Sequence, residues 1–177
     1  DGDGKLEVVC GSHDNNVYCL DAEDGTLLWK FTTGGDIWET PALGDLDGDG
    51  KLEVIITSCD NNIYCLNGED GSIIWSYTVT LDQIDYALAL GDIDGDGRLD
   101  VIFGSKDCHL YCINGESGDL LWRFYVGDNC KPTPAIYDID YDGKLEILTG
   151  STNGTVFCLD PQNSGERLYW QGRSGDY

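Results

Sequence analysis

The chain has 177 residues, 41% of them hydrophobic, and its 33 acidic and 10 basic side chains leave a net charge of −23. That balance excludes a nucleic-acid binder, which needs a basic footprint, and a module held on anionic lipid by its cations. The apolar share is enough for a core, so the acidity does not make a disordered tail, and no apolar run reaches the roughly 18 residues of a membrane span. There is no methionine. The sequence is therefore expected to be a processed product, an excised fragment or part of something longer.

Asp1-Gly-Asp3-Gly4-Lys5-Leu6-Glu7 opens the chain and returns three times, as Asp47 to Glu53, Asp94 to Asp100 and Asp140 to Glu146, at spacings of 46, 47 and 46 residues. A period of this length signals a solenoid, a propeller or an array. Each copy runs into an apolar strand, a turn, a second strand and a tryptophan: Trp29, Trp75, Trp122 and, one residue late, Trp170. In the first repeat, residues 1–35, strands are predicted at 6–10, 17–20 and 27–32, with no innermost strand. In the second, 36–82, they are predicted at 40–44, 52–57, 62–66 and 72–78, separated by Asp-, Asn- and Gly-rich breakers. The third and fourth repeats, 83–129 and 130–177, follow the same order. No stretch sustains helical periodicity. Leu6-Glu-Val8-Val9-Cys10 and Glu53-Val54-Ile55-Ile56 are apolar on both faces, so each is expected to be covered on both sides, as in stacked small sheets. The predicted fold is all-β, a single repeat domain of four tandem four-stranded antiparallel β-propeller blades, in a partial or an assembled ring, with the first blade incomplete.

Between the first and second strand of a repeat lies an acidic loop. In Asp45-x-Asp47-x-Asp49-Gly50-Lys51-x-Glu53 a tight turn brings three carboxylates round one point. The carbonyl of Lys51 is the fourth donor and Glu53 closes the far side. All donors are oxygens, which suits a hard cation, and a flexible loop suits calcium better than magnesium. The same set recurs as Asp92, Asp94, Asp96, the carbonyl of Arg98 and Asp100, and as Asp138, Asp140, Asp142, the carbonyl of Lys144 and Glu146. At the start of the chain Asp1, Asp3, the carbonyl of Lys5 and Glu7 form an incomplete set, expected to be weak or absent as a site. Position twelve is Ile56 where an EF-hand needs glutamate, and the flanks are strands, so these loops are not EF-hands. A solvated turn without an ion is the other reading, but four crowded carboxylates repel unless a cation neutralises them.

On these residues the chain resembles known repeats. Asp45-Leu-Asp-Gly-Asp-Gly-Lys-Leu-Glu is similar to the calcium loop of the FG-GAP repeats in integrin alpha-chain propellers and their bacterial relatives. Val17-Tyr18-Cys19-Leu20-Asp21, with Asp24-Gly25 and Trp29, resembles the repeat of pyrroloquinoline-quinone-dependent dehydrogenases and related outer-membrane assembly propellers. There a small residue, an acid, a turn and a docking tryptophan recur in each blade. Matching positions are Cys65, Asn67, Asp70, Gly71 and Trp75, then Cys112, Asn114, Ser117, Gly118 and Trp122, then Cys158, Asp160, Gly165 and Trp170. The resemblance implies a calcium-binding propeller, and closed members usually have more than four blades. Part of a larger ring or of a repeat assembly is therefore expected, with a closed four-bladed ring left open.

The four repeat tryptophans read as packing residues between blades. Trp38, at a position held by Asp85 and Lys131 in the next copies, is the candidate ligand contact, by sugar stacking, with a loop aromatic covering apolar area as the other reading. Cys19, Cys65, Cys112 and Cys158 share one repeat position and read as core thiols. Cys108 and Cys130 fall in connections expected on the same face of their blades and are the candidate disulfide, which suits an extracellular or cell-surface setting, with a periplasmic one also open. His13 and His109 stand at different repeat positions, and no nucleophile motif or phosphate loop appears. Asn153-Gly-Thr155 is a glycosylation sequon. Two functions remain. One is a non-catalytic, calcium-stabilised module for adhesion, scaffolding or assembly. Its partners would be proteins, carbohydrate, or further copies of itself through ring completion or fibre stacking. The other is the propeller part of a secreted quinone-dependent dehydrogenase or polysaccharide-active enzyme.

Overall fold

The computed structural model describes residues 4–79, 84, 87–161 and 167–173. The chain divides into two compact units, Asp1–Asp85 and Tyr86–Tyr177. In the first, β1 (Glu7–Gly11), β2 (Asn16–Asp21) and β3 (Leu27–Thr32) form one sheet, and β4 (Ala42–Gly44), β5 (Glu53–Thr57), β6 (Asn62–Asn67) and β7 (Ile73–Thr78) form the next. In the second, β8 (Leu88–Gly91), β9 (Asp100–Gly104), β10 (His109–Ile113) and β11 (Leu120–Tyr125) make one sheet. The other comprises β12 (Ala135–Tyr137), β13 (Glu146–Gly150), β14 (Thr155–Asp160) and β15 (Arg167–Arg173). Every sheet is an antiparallel meander in chain order. These are propeller blades, four-stranded except for the first, in which the described residues form three strands.

One cross-strand pair recurs in all four blades. Cys19 faces Trp29, Cys65 faces Trp75, Cys112 faces Trp122 and Cys158 faces Trp170, and each register then shifts by a bulge. A small apolar side chain opposite a tryptophan leaves room for the large ring, which fits cysteine at this position. Cys19, Cys65, Cys112 and Cys158 are buried, and burial pushes the Cys65 thiol up to about 12.

Trp29 shows how one blade grips the next. Its indole N–H donates to the carbonyl of Gly68 at 2.9 Å, in the turn joining β6 to β7. Gly71 of that turn has φ +70°, and a Cβ there would lie 2.5 Å from the Trp29 ring, so the close approach requires glycine. The core of the first unit continues through Val17, Cys19, Ile37, Val54, Ile56 and Leu66. In the second unit Ile102, Leu110 and Cys112 of one sheet meet Ile147, Phe157 and Leu159 of the other, with Phe124 edge-on to Phe157 at 5.6 Å.

β5 is buried at all five positions, as expected from the double-sided apolarity of 53–56, and so is β9. β1 is not. Leu6 is 78% and Val8 49% exposed, and Cys10 is exposed as well. Val9 packs on the core of the first unit, while Val8 and Cys10 point to the opposite, uncovered face. Apolar residues at alternate faces record what a strand tolerates, but burial needs a sheet laid on each side.

Candidate metal centres

The three acidic loops join the first strand of a blade to the second: β4 to β5, β8 to β9 and β12 to β13. Each is folded by its own carboxylates before any ion is considered. The position-one aspartate accepts two backbone N–H bonds across the turn. Asp45 takes those of Gly48 and Gly50 at 2.7 and 3.0 Å, and Asp92 those of Gly95 and Gly97 at 2.8 and 3.0 Å. Asp138 takes those of Asp142 and Gly143 at 3.1 and 3.0 Å. Asp47, Asp94 and Asp140 each accept the N–H two residues on, and Asp49, Asp96 and Asp142 do the same for Lys51, Arg98 and Lys144. The left-handed conformations that this winding needs fall on glycine, except at Tyr141, with φ +63°.

The last acid of each loop begins the next strand and points inward. Glu53, Asp100 and Glu146 are 4%, 1% and 1% exposed. One oxygen of each accepts the N–H of position two: Leu46 at 2.7 Å, Ile93 at 2.9 Å and Ile139 at 2.7 Å. Burial raises the proton affinity of all three, reinforced by neighbouring loop aspartates, and carries Asp100 up to about 6. The other oxygen of Asp100 is buried with no hydrogen-bond partner. An ionised carboxylate with a buried, unpartnered oxygen beside three more carboxylates fits a bound cation.

Ligand atoms of Asp45, Asp47 and Glu53 lie within 4.8 Å of one another, as do those of Asp138, Asp140 and Glu146. Each group could chelate a metal ion. The middle loop differs: its group is Asp92, Asp94 and Asp96, because Asp100 is one methylene shorter than the glutamates at its equivalent positions. Asp49 and Asp142 stay outside the trios of their loops. Asp1 and Asp3 lie outside the described residues. Glu7 opens β1, and Lys5 reaches Glu23 at 3.1 Å.

The expected Cys108–Cys130 disulfide is not formed. Cys108 occupies a left-handed turn, φ +71°, while the buried Cys130 thiol lies 3.3 Å from the Thr149 hydroxyl. The two connections carry the cysteines, but local turn geometry aims the sulfurs at other partners. Trp38 is 60% exposed and packs against His13, with ring centroids 4.5 Å apart and the ring planes tilted by 38°. It edges a cavity formed with Val9, Cys10, Gly11, Glu39, Thr40 and Pro41.

Sequence reasoning missed a second recurring carboxylate. Asp14, Asp60 and Asp107 lie in the turn after the first core-facing strand of each repeat. They accept the hydroxyls of Tyr18, Tyr64 and Tyr111, at 2.5 and 2.7 Å for the first two. Asp60 also accepts the N–H of Gly34 at 2.7 Å, fastening the crossover from the preceding blade. The signal was present as Ser-x-Asp with Tyr six residues after the Ser; in the fourth repeat Asn153 and Phe157 replace both members together.

Comparison with known proteins places these features. The FG-GAP-like repeat matches residues 1–56 and 45–103. The beta-alanine-activating enzyme of Danio rerio is 59% identical over 34 residues, which are 19% of this chain and 3% of that protein. Among solved structures, BamB from Moraxella catarrhalis superposes with a TM-score of 0.74 at 17% identity, covering 98% of this chain and 51% of that one. The computationally designed Ika8 protein gives 0.73 at 17% identity, covering 94% and 46%. The chain thus spans about half the length of these two structures, which share its fold. Since the matched repeat extends over residues 1–103, more than half of the 177, the chain belongs to the FG-GAP-like repeat family.

Proposed function

We propose that this chain is a non-catalytic β-propeller module whose acidic loops bind calcium, and which serves adhesion, scaffolding or assembly at an extracellular or cell-surface location. The carrying observation is the repeated donor set: three loops, each wound by backbone N–H bonds to its own aspartates and each ending in a buried acid that accepts the N–H of position two, one of them with an oxygen left unpartnered. Oxygen-only donors in loops of this flexibility suit calcium. Neutralising each cluster would stabilise the first-to-second strand hinge of its blade, so the ion acts on folding. Asp45, Asp47, Asp49, the Lys51 carbonyl and Glu53 form one site, with their counterparts at 92–100 and 138–146. Asp1, Asp3, Lys5 and Glu7 belong to a weak fourth. The repeats run 1–35, 36–82, 83–129 and 130–177, and the partners are proteins or further copies of the chain, with Trp38 as a contact for carbohydrate.

Calorimetric titration of chelator-stripped protein is expected to give about three calcium sites, with a higher melting temperature in calcium than in chelator. No uptake at millimolar calcium would overturn the proposal. The 34-residue identity with part of an enzyme favours one other reading, a propeller segment carried by a larger catalytic protein. A longer chain with catalytic activity that tracks calcium occupancy would support that reading instead.

A further inference from the structure

Four of the ten basic residues stand at one repeat position. Lys5, Lys51, Arg98 and Lys144 each occupy position seven of an acidic loop, two residues after an aspartate and two before the closing acid. Under the calcium reading this placement works against the ion. A unit positive charge about 8 Å from a divalent cation weakens its binding about fivefold even in water. In a chain so short of cations, their concentration beside the proposed ion sites requires a physical account.

Three of these side chains turn away from the loops. Lys51 Nζ lies 2.5 Å from Glu69 Oε2, Arg98 Nε 3.3 Å from Glu116 Oε2, and Lys5 Nζ 3.1 Å from Glu23 Oε2. Each glutamate follows its cation by 18 residues and sits in the turn between the last two strands of the same blade. Two of these turns present the glutamate on a fixed backbone: Asp21 accepts the N–H of Glu23 at 2.7 Å, and Asn67 that of Glu69 at 2.8 Å. In the third, Asn114 holds the turn through Ser117 at 3.0 Å. The residue 18 positions after Lys144 is Gln162, outside the described residues.

We infer that Glu23, Glu69 and Glu116 are positioning residues that hold the position-seven cation off the ion site, so that this residue offers the ion its carbonyl while its side-chain charge is neutralised elsewhere. The inference rests on the calcium reading. Without Glu69, the Lys51 ammonium, already within the field of Asp49 and Asp47, swings onto those carboxylates and competes with the ion.

The test is a calcium titration in a chain carrying Asp94→Ala and Asp140→Ala, so that the second loop is the measured site. Glu69→Gln is expected to weaken binding about fivefold or more, and Lys51→Met to tighten it several-fold. In the Lys51→Met background, Glu69→Gln is expected to weaken binding clearly less than in the parent, by no more than about threefold from the loss of its own screened field, since no ammonium remains to swing. Equal weakening in both backgrounds would mean that Glu69 acts only through its field, and would overturn the inference while leaving the calcium sites standing. A parent chain that takes up no calcium would overturn both. Arg98→Met with Glu116→Gln, measured in an Asp47→Ala, Asp140→Ala chain, repeats the cycle at the third loop. Melting in chelator confirms that each variant is folded.

Discussion

Asp100→Asn is expected to change sign with calcium. Asp100 is 1% exposed, one oxygen accepts the N–H groups of Ile93 and Asp94, and the other has no partner. In calcium, the substitution removes a ligand charge from the third loop. If the site is held at about 100 times its dissociation constant, its loss costs about 2.7 kcal/mol of linkage, or roughly 5–10 °C in melting temperature for a chain of this size. In chelator, the same change removes a buried charge that repels the loop's other carboxylates and is only half hydrogen-bonded. An asparagine oxygen can still accept from Ile93, so the variant is expected to be as stable as the parent, or more stable by about 1 kcal/mol. Paired urea titrations in millimolar calcium and in chelator measure both signs. Equal destabilisation in the two conditions would show that Asp100 is a structural hydrogen-bonding residue, and the reasoning that links its unpartnered oxygen to a cation would fail. Asp100→Glu lengthens the side chain to that of Glu53 and Glu146, and is expected to retain calcium-dependent stabilisation.

Trp29→Ala is expected to cost about 3–5 kcal/mol in an equilibrium denaturation, because it empties a buried site and leaves the Gly68 carbonyl without its donor. Trp38→Ala, at an exposed position, is expected to change stability by less than about 0.5 kcal/mol; a reversed order would refute the assignment of Trp29 to packing between blades. Thiol labelling of the native protein is expected to modify Cys10 first and to leave Cys19, Cys65, Cys112 and Cys158 unmodified. Eight reactive thiols should appear in denaturant, where six would restore the Cys108–Cys130 bond. Tyr64→Phe is expected to cost about 1 kcal/mol by denaturant titration, since it removes the hydroxyl bound to Asp60; no loss would make that hydrogen bond incidental.

The blades were legible because the chain says the same thing four times. One strand of five apolar residues is ambiguous, but four copies at a constant interval, each closed by Asp-Gly turns and a tryptophan, leave only a sheet-stacking repeat. The loops were legible for a related reason. Alternate aspartates before a glycine prescribe both a winding and an oxygen donor set. What escaped was direction. Val8 is as apolar as Val54, yet one is half-exposed and the other buried; no residue type states which face another sheet will cover. Cys108 and Cys130 fall in the connections expected, but a left-handed φ at Cys108 and the Thr149 hydroxyl beside Cys130 decide where the sulfurs point.

The aspartates at 14, 60 and 107 were hidden by their ordinariness, because an aspartate in a turn needs no further explanation. Their role emerges only from the pairing of changes across repeats. Where the turn keeps Asp, the strand keeps Tyr, and where it becomes Asn153, the strand has Phe157. An acceptor and a donor lost together mark a bond, whereas either lost alone would leave a polar group to be satisfied by water. The same logic separates the two acidic positions of each blade. The turn aspartate has a hydroxyl to neutralise its hydrogen-bonding demand, so it requires no ion. The last acid of the loop has a backbone N–H for one oxygen only, and in the third repeat nothing for the other. Acid count alone, in a chain with 33 carboxylates, would not have distinguished them; what each oxygen has within reach does.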